Sequence, residues 1–445
     1  MGEVIGSLEV QIDSVASQFL EESKTKEVLV ISHFDTDGIS SAAIMGKTLK
    51  KLDIIFSLKI VKSLKPELIA NLPENKIILF LDLASGSLSH IQNSNLKKVF
   101  IIDHHEIDTI VPSNVRIVNP QLNGKEKISS SGLVYLFCKK LSPEIKNFAK
   151  LAILGMVGDQ MEKEIDKLNH EILDHGEIKK KRGLLIYPAT RPLNRTLEYA
   201  SHPYIPGVTG DQKGVIELLR EAGLAPKTGK YKSVLELDSE EMERLVTGIM
   251  LRNPKARYSE IIGDVFLIKM YNKLEDAREL SAMVNACSRF GESNTALQLL
   301  MEVPKAKKKA ESIYIKHKQN LISGLDFVSK AEKIKGRGYI IINTKDNVKD
   351  TIVGTIASIL SYSPEYTEGT IITTMAYYED KIKVSSRSVG KNGRNVREIL
   401  SNIINQVGGE VGGHEFAAGC ILKQDKEEEF IQLLKKNLEI EMIKV

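Results

Sequence analysis

The stretch "ISHFDTDGISSA", from Ile31, sets His33, Asp35 and Asp37 on alternate positions and follows them with a glycine and two serines. Imidazole and carboxylate at that density are ligands for a divalent cation. Matching groups recur downstream. Asp82 closes the apolar run "IILFLD", Asp103, His104 and His105 follow "VFII", and Asp159 ends "LAILGMVGD". Turns favour aspartate, so any one of these could merely punctuate the boundary between two elements. Together they point to one shared site. So many close carboxylates would repel and raise one another's pKa unless cations neutralised them. Oxygen ligands mixed with imidazole suit Mn²⁺ and tolerate Mg²⁺. Two such ions ~3.5–4 Å apart are the arrangement for in-line attack on phosphorus.

The elements that must position these groups are legible as a βα alternation over the first ~160 residues. "EVLVIS", "IIFSLKIV", "KIILFLDL" and "KKVFIIDHH" are short, β-branched, continuously apolar runs. Such runs suit parallel strands covered by helices on both faces, which predicts a doubly wound α/β domain. Ligands of such sheets bind beyond the carboxyl ends of the strands, where His33, Asp82 and Asp103 fall. "GISSAAIMGKTLKKL" reads as a helix whose first-turn amides Ser40 or Ser41 help to satisfy. Residues 183–303 read as an insert, irregular at first ("LIYPATRPLNRTLEYASHPYIPGVTGD") and helical later. Residues 304–335 read as a long helical linker, and 336–445 as a second, smaller α/β domain. The first domain is placed at 1–182.

The chain has 445 residues, too many for one core. Its 42% hydrophobic and 27% charged residues are those of a globular protein. No apolar run approaches ~20 residues, so no membrane span is expected. The acidic, amphipathic start "MGEVIGSLEVQIDSVASQFLEE" is unlike a signal peptide, and a cytoplasmic location is expected. The three cysteines, Cys138, Cys287 and Cys420, form no CxxC pair and exclude a disulfide framework or thiolate zinc site. Basic runs at 179–182 and 305–310 are solvated helix faces or phosphate contacts.

"SHFDTDGISS", "LDLASG", "IDHHEID" and "VGDQ" occur in the order of the motifs of the DHH phosphoesterase superfamily, and the chain resembles it closely. "GGHEFAAG" at 412–419 resembles the signature of its DHHA1 partner domain. "TRPLNRTLEYASHPYIPGVTG" and "DARELSAMVNACSRFGE" resemble the archaeal RecJ-like exonuclease branch, related to RecJ and to a eukaryotic replicative-helicase subunit. The resemblance implies a DHH catalytic domain, the inserted, mainly helical region, and a C-terminal DHHA1 domain. It implies that His33 and Asp35 hold one metal, that Asp37, His104 and Asp159 hold the other, and that Asp82 bridges the two. Asp103 would orient His104 or a neighbouring ligand, and His105 would face the scissile phosphate as a charge stabiliser or proton donor. His33 departs from bacterial RecJ, where a carboxylate is common.

Glycines Gly408, Gly409, Gly412 and Gly413 before His414 could form an anion nest, and Arg387 in "KVSSRS" could grip two phosphate oxygens. Tyr187, Tyr199, Tyr204 and Tyr258 are candidate stacking platforms for bases. The implied activity is manganese-dependent hydrolysis of single-stranded DNA or RNA to mononucleotides, in replication and repair. The alternatives are a phosphodiesterase of short oligoribonucleotides or cyclic dinucleotides, and a replisome scaffold docking on GINS.

Overall fold

The computed structural model describes residues 7–443 apart from 108, 125, 164, 166, 177, 201–202, 227–228, 255, 257, 364 and 391. The chain divides into two units, Met1–Lys181 with Asp264–Tyr314, and Arg182–Gly263 with Ile315–Val445. The fold is mixed α/β with a parallel sheet, a largely helical insert and a C-terminal sheet domain.

In the first unit, strands β1 (Val28–His33), β2 (Phe56–Val61), β3 (Ile77–Leu81), β4 (Val99–Ile102) and β5 (Val115–Val118) form a parallel sheet in the order β2-β1-β3-β4-β5. The alternation of side chains along a strand explains why its centre is continuously apolar. Ile77, Leu79 and Leu81 of β3 face one core together with the helices Leu8–Ser23, Thr36–Lys51, Ser130–Leu141 and Ala149–Gly158. Ile78 and Phe80 face the opposite core, with the short helices Pro66–Ala70 and Leu88–Gln92. β2 departs from the expectation of burial on both faces. It lies at the sheet edge and is half-buried. The register aligns Ser32 with Leu81, and Leu81 with Ile102, so the polar residues that follow each strand leave the sheet at one level.

The basic run at 179–182 opens a strand, β6 (Lys179–Leu184), rather than a helix face. β6 belongs to a small sheet with β7 (Ile262–Met270) and β8 (Lys273–Asp276), and Lys180 pairs with Asp264 at 2.8 Å. The helix Ala277–Arg289 follows, and then the helix Pro304–Lys330, inside the stretch 304–335 expected to be helical. The basic run at 305–310 lies on that long helix, where Lys307 and Lys309 pair with Glu275 and Glu292. Among the described residues, no helix is long and apolar enough to cross a membrane.

In the second unit, β9 (Ile334–Gly336), β10 (Tyr339–Asn343), β11 (Ile371–Tyr378), β12 (Lys381–Ser388), β13 (Glu410–His414) and β14 (Ala417–Lys423) form a sheet in the order β13-β14-β12-β11-β10-β9. The helix Val396–Val407 covers one face through Ile399, Leu400 and Ile403, and the helix Asp350–Ser361 covers the other through Ile352 and Ile356. The unit also holds the helices Gln212–Glu221 and Ser239–Arg252, the latter started by an Asp238–Glu241 capping box.

Candidate metal centre

The site is built where β1, β3 and β4 end. β1 finishes on His33, and two residues later Asp35 starts the helix Thr36–Lys51. The cap is Asp35, whose Oδ1 accepts the Gly38 N–H at 3.0 Å, rather than Ser40 or Ser41, which are buried inside the helix. The strand-to-helix turn is so short that the helix begins before either serine is reached. Asp35 Oδ2 lies 3.0 Å from His33 Nδ1.

Asp37 is buried in the first turn of that helix. Its Oδ2 and Oδ1 accept the backbone N–H groups of Ser130 (2.7 Å) and Ser131 (3.0 Å), at the N-terminus of the helix Ser130–Leu141. A helix N-terminus favours an anion, so Asp37 is fixed by backbone dipoles rather than by a cationic side chain. The close approach requires Gly155, because a Cβ there would stand 2.3 Å from Asp37 Oδ1 and 2.0 Å from Ser131 Oγ.

Asp82 follows β3 in the left-handed region, with φ 59°. That conformation costs a non-glycine residue ~1–2 kcal/mol, and such strain gathers at functional sites. The residue is 2% exposed, and among the described residues no donor hydrogen-bonds either of its carboxylate oxygens. Ring nitrogens surround it at longer range: His33 Nδ1 at 3.4 Å, His104 Nε2 at 3.8 Å and His105 Nδ1 at 3.9 Å. His104 Nε2 also lies 3.4 Å from Asp159 Oδ2, and Asp159 follows the last turn of the helix Ala149–Gly158.

Asp103 does not meet the ring of His104. Its Oδ1 accepts from His105 Nδ1 at 2.7 Å and from the His104 and His105 backbone N–H groups, while Oδ2 accepts the Ser85 N–H. The ring it orients is therefore that of His105, because the chain turns sharply after β4 and folds His105 back over Asp103. Asn119 braces this turn, donating to Ser85 Oγ and to the His105 carbonyl, both at 2.9 Å.

The electrostatics divide the carboxylates into two kinds. Burial alone would raise Asp35, but the His33 hydrogen bond and charge, with the Gly38 N–H, hold it at about 2. Burial would also raise Asp103, and His105 and Ser85 hold it at about 2. His33 is disfavoured by burial yet raised by Asp35, and His105 is raised chiefly by its bond to Asp103. Asp82 goes the other way. Burial first, then the charges of Asp37, Asp35 and Asp103, push its carboxyl well above the ordinary range. Burial and then Asp37, Asp82 and Asp35 push Asp159 up to about 10.

Ligand-capable atoms fall within 4.8 Å of one another in three sets: His33, Asp35 and Asp82; Asp37, His104 and Asp159; and Asp82, His104 and His105. Asp82 is shared by two of the sets, and its unpaired buried oxygens are what a divalent cation would satisfy. A charge of +2 there would also relieve the repulsion that raises Asp82 and Asp159. The donor chemistry fits a metal.

The proposed substrate residues lie in the second unit. Arg387, near the end of β12, donates through Nε to Ser358 Oγ (3.0 Å) and through Nη1 to Ser385 Oγ (3.0 Å) and the Ser386 carbonyl (2.9 Å). Gly412, Gly413 and His414 are exposed, but they form no nest-like turn. They are the end of β13, an edge strand paired to β14 with Gly412 opposite Gly419 and His414 opposite Ala417. Cross-strand pairing takes up one side of this backbone and leaves the other facing outward. Of the tyrosines, Tyr258 is exposed, Tyr187 and Tyr204 are half-buried, and the Tyr199 ring lies under Lys318 Nζ.

Sequence reasoning missed Ser85, Asn119, and the Ser130 and Ser131 amides. A signal for the last existed in "SSSG" ahead of an apolar run, the mark of a helix N-terminus.

Residues 27–156 match the family model described as DHH family, N-terminal domain; residues 187–260 match the DHH-CID domain and 337–439 the DHHA1 domain. An uncharacterized protein of Methanocaldococcus jannaschii is 27% identical over 420 residues, 91% of each chain. The crystal structure of RecJ from Thermus thermophilus in complex with Mn²⁺ matches with a TM-score of 0.59 at 18% identity, over 96% of this chain and 54% of that one. The chain thus spans about half the length of that RecJ. CDC45 from Entamoeba histolytica matches with a TM-score of 0.68 at 11% identity, over 96% of this chain and 99% of that one. At these identities the two structural likenesses speak to fold alone.

Proposed function

The chain belongs to the DHH family, and on that premise we propose that it is a metal-dependent exonuclease that hydrolyses single-stranded DNA, RNA or both to mononucleotides. One observation carries this reading: Asp82, buried and, among the described residues, without a hydrogen-bond donor on either oxygen, belongs to two of the three sets of carboxylate and imidazole ligands. His33 and Asp35 would hold one cation, Asp37, His104 and Asp159 the second, and Asp82 both. Mn²⁺, the ion in the Thermus thermophilus RecJ crystal, suits this mixed oxygen and nitrogen set, and Mg²⁺ is tolerated. A bound pair of such ions supplies Lewis-acid charge at the scissile phosphate and activates water.

The protein's own groups do the rest. Asp103 accepts from His105 Nδ1, which leaves Nε2 of a half-exposed ring to face the substrate. Because Asp103 also favours the charged ring, His105 is the group that would give a proton to the leaving oxygen. The Asp37 carboxylate, pinned at both oxygens, cannot swing away from its ligand position. Arg387, Gly412, Gly413 and His414 would hold the strand's phosphates, with replication and repair as the setting and GINS as a docking partner.

The test is a time course on end-labelled single-stranded and duplex DNA and RNA with Mn²⁺, for the native chain and Asp82→Asn. Mononucleotide release from single strands, lost in the variant, is expected. Absence of cleavage by the native chain refutes the reading. Turnover confined to dinucleotides would identify a small-substrate phosphodiesterase instead.

A further inference from the structure

The segment "DARELSAMVNACSRFGE" folds mostly as the helix Ala277–Arg289, whose buried face meets the turn that carries Asp35 and Asp37. The contact converges on Thr36, the first residue of the metal-bearing helix. Its N–H donates to Asn285 Oδ1 at 3.1 Å, and its hydroxyl donates to the Ser281 carbonyl at 3.1 Å and touches Ser281 Oγ at 3.1 Å. Thr36 and Ser281 are both buried. Gly158 closes another side: a Cβ there would lie 2.8 Å from Thr36 Cβ and 3.5 Å from Ser281 Oγ.

The first amides of a helix have no acceptor within it. Asp35 takes the Gly38 N–H through Oδ1 and keeps Oδ2 turned toward His33. Asn285 takes the Thr36 N–H from a position 249 residues away. Without it, that N–H turns to water or to the adjacent Asp35 carboxylate. The first loosens the turn, and the second diverts a ligand.

We propose that Asn285 and Ser281 are positioning residues for the metal-bearing turn: by fixing Thr36 they aim Asp35 and Asp37 at the cations, so the pair loads fully only with the helix Ala277–Arg289 docked. This rests on the metal-centre reading above. Groups that orient metal ligands without touching the metal commonly change its affinity by about 10- to 100-fold.

The experiment is calorimetric titration of the full chain with Mn²⁺ alone, for the native protein, Asn285→Leu and Asn285→Asp, with melting in EDTA recorded alongside. Asn285→Leu removes the acceptor while keeping the branched side-chain shape and is expected to bind Mn²⁺ about 10- to 100-fold more weakly. Saturating Mn²⁺ should then restore kcat. Asn285→Asp retains the acceptor and should stay close to native affinity. Native affinity in Asn285→Leu, or equal losses in both variants, overturns the proposal. A native protein that takes up no Mn²⁺ refutes the metal-centre reading itself. If Asn285→Leu does not fold, Thr36→Val serves, since it removes only the hydroxyl contact to Ser281. Weaker Mn²⁺ binding there supports the proposal, and native affinity overturns it.

Discussion

Replacing Asp82 by asparagine should separate stability from function with opposite signs. In the metal-free protein, burial and the charges of Asp37, Asp35 and Asp103 push the Asp82 carboxyl well above the ordinary range and so favour its neutral form. An amide is nearly isosteric with a neutral carboxyl, and asparagine tolerates the left-handed φ of 59° as well as aspartate does. Melting in EDTA should therefore be unchanged or slightly higher. The cation contribution should vanish. At a hundredfold excess over Kd, a ligand adds about 2.7 kcal/mol. For a unit of this size each kcal/mol moves Tm by roughly 2–4 °C, so Mn²⁺ should raise the native Tm by roughly 5–10 °C and that of the variant hardly at all. Differential scanning calorimetry with Mn²⁺ and with EDTA measures both quantities. Asp82→Ala, which also opens a cavity, should melt lower in EDTA and serves as the contrast. A large fall in Tm for Asp82→Asn in EDTA, or an intact Mn²⁺ shift, would refute the reasoning.

Other perturbations test other parts of the site. With Asp159 raised to about 10, the metal-free fold holds a proton there that the unfolded chain releases near its model value of 3.8. The stability from this group is therefore full below pH 3.8 and declines up to about 10, and Mn²⁺ affinity should rise up to tenfold per pH unit for each proton displaced; titrations from about pH 6 to 8.5 showing no slope would contradict this. Asp103→Asn removes the negative charge that favours the protonated His105 ring, so the alkaline limb of the kcat profile should move to lower pH, read from rates at saturating Mn²⁺. Gly155→Ala drives a methyl into Asp37 Oδ1 and Ser131 Oγ, and should cost about 1–3 kcal/mol in denaturant melts and abolish the Mn²⁺ shift. Arg387→Met should raise KM for single strands while the Mn²⁺ Kd stays native, and a change confined to kcat would deny it a role in substrate binding.

The metal-capable groups were legible because parallel βα alternation is written in the apolar runs, and the runs fix which edge His33, Asp82 and Asp103 share. What lay beyond one element was harder to read. The partner of Asp103 depends on how sharply the chain turns after β4, and "DHH" spells the same residues whichever ring folds back. The Asp37 carboxylate is held by main-chain amides of Ser130 and Ser131, which any residue but proline can supply. Asn285 gives no local hint of an acceptor at Thr36, since only tertiary packing joins them. The glycines before His414 suggested a concave turn. Glu410 and Val411 instead start a strand that pairs with Ile421 and Cys420, and the pairing carries Gly412 and Gly413 along, while Gly408 and Gly409 precede it at positive φ.

The bond between Lys180 and Asp264 has a consequence for how this protein could be rebuilt. It ties together the points where the chain leaves and re-enters its first unit. The tract between behaves as a cassette on a closed clasp: its length adds only logarithmically to the entropy of joining the ends. Exchange or excision there, sealed by a tight hairpin, should leave the cluster of aspartates and histidines standing, since each of its members lies outside the exchanged tract.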